Sequence, residues 1–404
     1  MKTAAERYDP KARRETPLAI ELKARIRSER PLTVSEYIAS CLHDPEHGYY
    51  RSQAAIGRSA DFITAPEISQ VFGELVGVWL AVVWQQLGSP NRCRLIELGP
   101  GRGTLLADAL RAAASVPDFV AALEISLVES NPILAASQRR LLTDYAERTT
   151  WFATLSDLAA HETERTTCAV PTLVIANEFL DALPVAQLIY KSDGWQPRWI
   201  GLDNTDRLIF LDDGPHLWPD ADQIAPSLGM DLGDDAVGHQ PGNIGDILTF
   251  GQFHELAAVL ERFERVACLV IDYGWSGAKF GDTLQAIRAH SYEHPLTSPG
   301  EADLTFQVDF EDVRTQLAGS DRYDVNGPIP QAEFLGHLGI VQRASRLMSQ
   351  NPHRAGEIES GVARLLAPNG MGTRFKALGL RSTDIPTLPG FPPSFEPAPH
   401  DVTT

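Results

Sequence analysis

The chain has 404 residues, 43% hydrophobic and 22% charged, with a formal net charge of −18. That length and composition give a globular core of two or three average domains or one elaborated α/β domain, and the acidic balance argues against a surface that tracks nucleic-acid phosphates. Four cysteines (Cys41, Cys93, Cys168, Cys268) lie far apart without a C-x-x-C pair, which argues against a disulfide scaffold or a zinc ribbon and for a reducing compartment.

Residues 1–30 mix acids and bases without an apolar run, so neither a secretory signal nor a transit peptide is expected there. Residues 19–28 and 34–42 have helical spacing, with Thr33 as N-cap of the second. A loop containing glycine and tyrosine, 43–63, leads into a long apolar helix over 65–87 that opens at Pro66. Its most apolar stretch, 76–84, is too short to span a membrane and reads as core or, equally, as part of a homodimer face. Strands are expected at 94–98, 125–129 and 172–176, with helices at 104–114 and 132–145. Buried strands alternating with helices predict a mostly parallel sheet covered on both faces. Residues 186–200 alternate around Trp195 and Trp199 as an antiparallel hairpin would. Residues 204–246 are rich in Asp, Pro and Gly and read as an irregular excursion.

Beyond that excursion the spacing predicts a helix over 249–265 and a buried strand over 267–273 that ends in an acid. A long loop runs to Asp303, followed by a helix near 308–317, a short strand around Tyr323 and helices at 331–338 and 356–366. A late strand, 375–380, would be the antiparallel last strand, and the tail from Ile385 is proline-rich and extended. The organisation so read has an N-terminal helical region with an active-site loop (1–88) and a first core part (89–200). An irregular insertion (201–247), a second core part with inserted helices (248–384) and a tail (385–404) complete it.

The run from Leu95 to Thr104, Leu-Ile-Glu-Leu-Gly-Pro-Gly-Arg-Gly-Thr, is a buried strand entering a glycine turn and then a helix. Gly99, Gly101 and Gly103 make G-x-G-x-G, whereas a dinucleotide fingerprint places its third glycine where Thr104 stands. Glu129, 30 residues beyond Gly99, ends the next apolar strand as a carboxylate suited to ribose hydroxyls, followed by Ser130. Together they predict an S-adenosylmethionine site, with Glu97 at the same sheet edge and Pro100 within the turn. Asn177, Glu178 and Asp181 follow the third strand, where an amide and carboxylates could orient a methyl acceptor. A guanidinium acceptor is cationic and needs carboxylates that grip its fork. The same residues could instead serve as helix caps. Thr64 and Glu67 open a helix and suit either a lid over the ligand or a capping box. Asp272 and Tyr273 end a core strand as further candidates on the acceptor side. His43 and His47 are four apart, but Pro45 breaks the helix that would align them, and His290 and His294 share the spacing without a third ligand, so no metal site is expected.

Several separate blocks resemble one known family, the MidA-like S-adenosylmethionine-dependent methyltransferases, related to the mitochondrial complex I assembly methyltransferase. They are 43–50 (His-Asp-Pro-Glu-His-Gly-Tyr-Tyr), 61–69 (Asp-Phe-Ile-Thr-Ala-Pro-Glu-Ile-Ser), 97–104, 177–185 (Asn-Glu-Phe-Leu-Asp-Ala-Leu-Pro-Val), 271–274, 281–285 and 303–309. The resemblance runs from about Pro31 to Leu380. It implies a Rossmann-like class I α/β fold, with a mostly parallel seven-stranded sheet and inserted helical and hairpin elements. It also implies arginine methylation of a respiratory complex I subunit, in the mitochondrial matrix of a eukaryote or the cytoplasm of a bacterium. Ala60 stands where the family has glycine, and Gln307 where histidine is usual. Two rival readings carry forward: an NAD-dependent oxidoreductase, which shares the strand, turn and ribose carboxylate, and a non-catalytic complex I assembly factor.

Overall fold

The computed structural model describes residues 8–51, 64–164, 169–192, 194–211, 243–251, 253–277, 281–317 and 321–393. Seven strands form the central sheet: β1 (Cys93–Leu98), β2 (Leu123–Val128), β3 (Thr149–Phe152), β4 (Thr172–Asn177), β5 (Val266–Trp275), β6 (Tyr323–Pro330) and β7 (Phe375–Ser382). Their order is β3-β2-β1-β4-β5-β7-β6, and the two-residue strand Val308–Asp309 adds to the end of β5. The five strands from β3 to β5 are parallel, while β7 runs antiparallel between β5 and β6. The strands are apolar on both faces because helices cover both. Leu95, Leu173 and Leu269 point into one core layer, and their neighbours Ile96, Val174 and Val270 into the other.

Helix α1 (Pro17–Ser28) and helix α2 (Val34–His43) lie on the second face. Thr33 and Glu36 close a full capping box on α2, which agrees with the N-cap expected there. The single long helix expected over 65–87 is two helices, α3 (Ala65–Ile68) and α4 (Gln70–Gln86). Ser69 is extended (φ −154°, ψ 124°) and its hydroxyl accepts the Val71 N–H, so the chain stops and restarts. Within α4, Val76, Trp79, Leu80, Val83 and Trp84 are core, and only Val78 of the stretch 76–84 stands well exposed. This helix therefore turns most of its apolar face into the chain.

Helix α5 (Thr104–Ala113) follows β1, α6 (Pro132–Leu141) follows β2, and α7 (Leu155–Glu164) follows β3. Three small antiparallel sheets ride on this core. The hairpin Val185–Lys191 with Gly194–Pro197 is present, but Trp199–Leu202 pairs elsewhere, with Leu32–Thr33 and Leu208–Leu211. The helix expected over 249–265 is corrected too. Ile247–Gly251 is a strand paired with Val185–Ile189, and only His254–Leu260 is helical. The loop expected before Asp303 contains Gln285–Arg288, flanked by Ser291–Glu293 and Asp303–Thr305. Residues 385–391 turn back on the core: Ile385, Leu388 and Phe391 are buried, and the Trp79 indole donates to Pro389 O at 3.0 Å. Most of the 201–247 insertion, residues 394–404 and Cys168 lie outside the described residues.

Candidate active site

The carboxyl ends of β1, β2, β4 and β5 meet along one sheet edge, and nearly every residue singled out from sequence lies there. After β1 the chain turns at Gly99, Gly101 and Gly103, with φ of 62°, 53° and 83°, values that an L side chain adopts only at a cost. Gly103 N–H donates to Pro100 O at 2.8 Å, closing the turn, and α5 starts at Thr104. The glycines do different jobs. A Cβ at Gly99 would sit 2.8 Å from the Phe179 ring, whereas one at Gly101 would project into open space. Only Gly101 thus has the clearance a ligand needs to lie on the backbone.

Glu97 closes β1 and is 3% exposed. Burial, with the Glu129 charge adding to it, pushes its carboxyl up to about 8. Among the described residues its Oε2 has no hydrogen-bond partner. Glu129 lies one strand away, beyond β2; burial raises it to about 7, while the Asn131 N–H at 2.8 Å and the Gln138 amide at 3.2 Å favour the charged form. Ser130 beside it is exposed. An orphaned buried carboxyl oxygen, an open Gly101 face and a half-buried carboxylate fit an adenosyl amino acid, with its positive groups and its ribose hydroxyls.

At the carboxyl end of β4, Asn177 and Glu178 lie at the same sheet edge. Glu178 is a non-glycine residue at φ 50°, held there by its N–H donating to Ile271 O at 2.8 Å. Such strain is typical of functional positions. Glu178 Oε1 accepts the Ala65 N–H at 2.8 Å and the Asn177 amide at 3.3 Å, and burial lifts the carboxyl to about 7. Asn177 Oδ1 is buried and has no partner among the described residues. Asp181 is likewise raised to about 7, mainly by burial. Around it stand Tyr50, whose hydroxyl donates to Asp303 Oδ1 at 3.4 Å, and Tyr273, hydrogen-bonded to the Thr305 hydroxyl.

Two expectations change here. The sequence suggests Asp272 as acidic support on the acceptor side. It is instead fully buried, and its oxygens accept the N–H groups of Leu180 (2.9 Å), Asp181 (3.2 Å) and Tyr273 (2.8 Å). It holds the 179–182 turn on β5 and reaches the crevice only through that turn. Thr64 occupies the N-cap of α3 but makes no side-chain cap bond, and Glu67 does not close a capping box. Glu67 instead accepts from the Thr104 hydroxyl and pairs with Arg102 at 3.6 Å, pinning α3 across the glycine turn. Residues 61–63 of that loop, and Ala60, lie outside the described residues; Gln307 is half-buried just past Asp303–Thr305.

Sequence reasoning missed Asn131, Gln138 and Trp151. Asn131 caps α6 by accepting the Ile133 N–H at 2.8 Å, and its amide donates to Tyr50 O, joining the segment 43–50 to the Glu129 strand end. A signal was present, since Gln138 interrupts the apolar stripe of α6 formed by Leu134 and Ala135.

Residues 75–329 match the model of a family described as S-adenosyl-L-methionine-dependent methyltransferases. The chain is 34% identical over 391 residues to a Drosophila melanogaster protein named protein arginine methyltransferase NDUFAF7 homolog, mitochondrial, covering 90% of this chain and 84% of that one. The Homo sapiens protein of that name is 32% identical over 391 residues, covering 90% and 83%. A Burkholderia thailandensis structure bound to S-adenosyl-homocysteine superposes with a TM-score of 0.75 at 25% identity, covering 92% of this chain and 93% of that one. The oxidoreductase reading and the non-catalytic reading both fall on these findings. The chain belongs to this family of S-adenosylmethionine-dependent methyltransferases, and S-adenosylmethionine is its cofactor.

Proposed function

We propose that the methyl acceptor is an arginine side chain of a protein. The observation that carries this is the pair of buried carboxyls, Glu178 and Asp181, in the turn that follows Asn177 at the end of β4. A guanidinium is cationic at all working pH values and presents a fork of donors, so it seeks acceptor-only carboxylates. In this reading Gly99, Pro100, Gly101, Gly103 and Thr104 admit the amino acid part of the cofactor with Glu97 beside it. Glu129 and Ser130 receive the ribose, and Asn177 flanks the reacting centre. Tyr273 and Thr64 line the acceptor side, with Glu67 closing it across the turn. When bound, S-adenosylmethionine supplies a methyl group on a sulfonium, whose C–S bond breaks as the acceptor N–C bond forms.

The protein's share is position and proton. Glu178 has its Oε1 held by Ala65 and Asn177, so its orientation is set before the acceptor arrives. Glu178 and Asp181 accept guanidinium N–H groups and draw charge away from the attacking nitrogen. With its carboxyl raised to about 7, Glu178 is matched to take the proton the methylated nitrogen gives up. Positioning of this kind supplies most of the rate in a transfer that needs no covalent enzyme intermediate.

The resemblance adds a respiratory complex I subunit as the acceptor protein. The relatives carry mitochondrial names, and the buried free thiols Cys41, Cys93 and Cys268 suit a reducing compartment such as a mitochondrial matrix or a bacterial cytoplasm. The test is incubation with labelled methyl donor and host lysate, followed by mass spectrometry of the labelled species. Methylarginine in one protein, lost with Glu178→Gln, is the expected result. Label in nucleic acid, in a small molecule or on lysine overturns the proposal.

A further inference from the structure

Gln138 is 0% exposed on α6. Its amide nitrogen donates to Gly101 O at 2.7 Å and to Glu129 Oε2 at 3.2 Å, and its Oε1 accepts the Trp151 indole N–H at 2.9 Å. These partners fix the amide's orientation. A flipped amide would face two acceptors with its oxygen and a donor with its NH2 group. Trp151 is itself held, with the Arg139 guanidinium 4.6 Å from its ring centroid. The far end of Glu129 is fixed by the Asn131 N–H at 2.8 Å on Oε1. The Gly101 N–H also favours the charged carboxylate, so three protein donors surround Glu129 and leave part of its lone-pair capacity for a ligand.

We propose that Gln138 is a positioning residue for cofactor recognition. It ties the Glu129 carboxylate to the Gly101 turn, whose own N–H favours the same charge, so that the remaining lone-pair capacity faces the ribose hydroxyls, with Trp151 setting the amide's orientation. This rests on Glu129 as the ribose acceptor. A buried side chain with all its polar atoms committed also packs, so loss of packing must be separated from loss of orientation. Ligands that differ only in the ribose hydroxyls make that separation.

The experiment is calorimetric titration of the full chain with S-adenosylhomocysteine and with its 2′,3′-dideoxy analogue, for wild type, Gln138→Met, Trp151→Phe and Glu129→Gln. The readout is the ratio of the two dissociation constants. Methionine keeps the volume and removes the hydrogen bonds, and the ratio is expected to fall about tenfold, the worth of one bond to a charged group. Affinity for the dideoxy analogue stays within about twofold. Trp151→Phe keeps the ring under Arg139 and frees the amide to rotate, giving a smaller loss in the same ratio even where Gln138→Met folds poorly. Equal weakening of both ligands, or no change in either, overturns the proposal. An unchanged ratio in Glu129→Gln overturns the ribose assignment itself, a failure read from a different variant.

Discussion

Replacing Gly101 with alanine separates the two things a glycine turn can do. Gly101 has φ 53° and Gly99 φ 62°, so either substitution forces an L side chain into the left-handed region, at about 1–2 kcal/mol. Inside the protein the two then part company. The new methyl at position 99 would lie 2.8 Å from Phe179 Cδ2, while at position 101 it meets no atom within 4 Å. Gly99→Ala is therefore expected to lose a further ~1–3 kcal/mol of stability through overpacking, and Gly101→Ala only the backbone cost. Affinity should respond in the opposite sense. The methyl at 101 stands where the cofactor approaches, and a clash of ~1.4 kcal/mol or more there is a loss of tenfold or more in binding. Urea unfolding gives the stabilities, and calorimetry with S-adenosylhomocysteine well below the unfolding temperature gives the affinities. A Gly101→Ala protein that is modestly destabilised yet binds with wild-type affinity would refute the reasoning, because the glycine would then serve chain geometry alone.

Two further outcomes follow from the buried charges. Glu97 keeps its proton up to about pH 8 in the folded chain but loses it near 4.5 when unfolded. The folded state therefore binds the extra proton between those values, and stability falls as pH rises through the window, by on the order of a few kcal/mol. Glu97→Gln should flatten that slope, gaining on wild type at pH 8.5 relative to pH 5.5 in urea titrations; an identical slope would show that Glu97 is ionised when folded. At the opposite sheet edge, Arg94 and Glu162 form an ion pair at 2.9 Å with side chains 1% and 4% exposed. Glu162→Ala leaves the buried guanidinium without this carboxylate and should cost about 3–5 kcal/mol in the same assay, with loss below 1 kcal/mol counting against the argument.

The parts legible in the sequence are those governed by local rules. The strand-turn-helix at 95–104 is read from apolar run, glycine spacing and helix start, and Thr33 from its own capping chemistry. What escaped was set by partners distant in sequence. Ile247–Gly251 looks like the start of a helix until Val185–Ile189 pairs with it, and Ser69 breaks an apolar stretch that has no visible stop signal. Thr149–Phe152 is a four-residue edge strand with little period to detect. Within the site, Asp272 and Asp181 look equivalent as acids beside strand ends. Only the fold shows that Asp272 is spent on the N–H groups of Leu180, Asp181 and Tyr273, while Asp181 is held by the Thr305 hydroxyl and by backbone N–H groups of its own turn. Gln138 is the converse case, a residue silent in every motif whose three hydrogen bonds reach Gly101, Glu129 and Trp151, which lie 37, 9 and 13 residues away.

The most direct measurement is a crystal structure of the chain with S-adenosylhomocysteine. An open Gly101 face and a Glu129 carboxylate with spare lone pairs require the amino acid part to lie over Gly101 and both ribose hydroxyls to fall within hydrogen-bond distance of Glu129. Ligand density at another edge of the sheet, or a ribose turned away from Glu129, would contradict that placement.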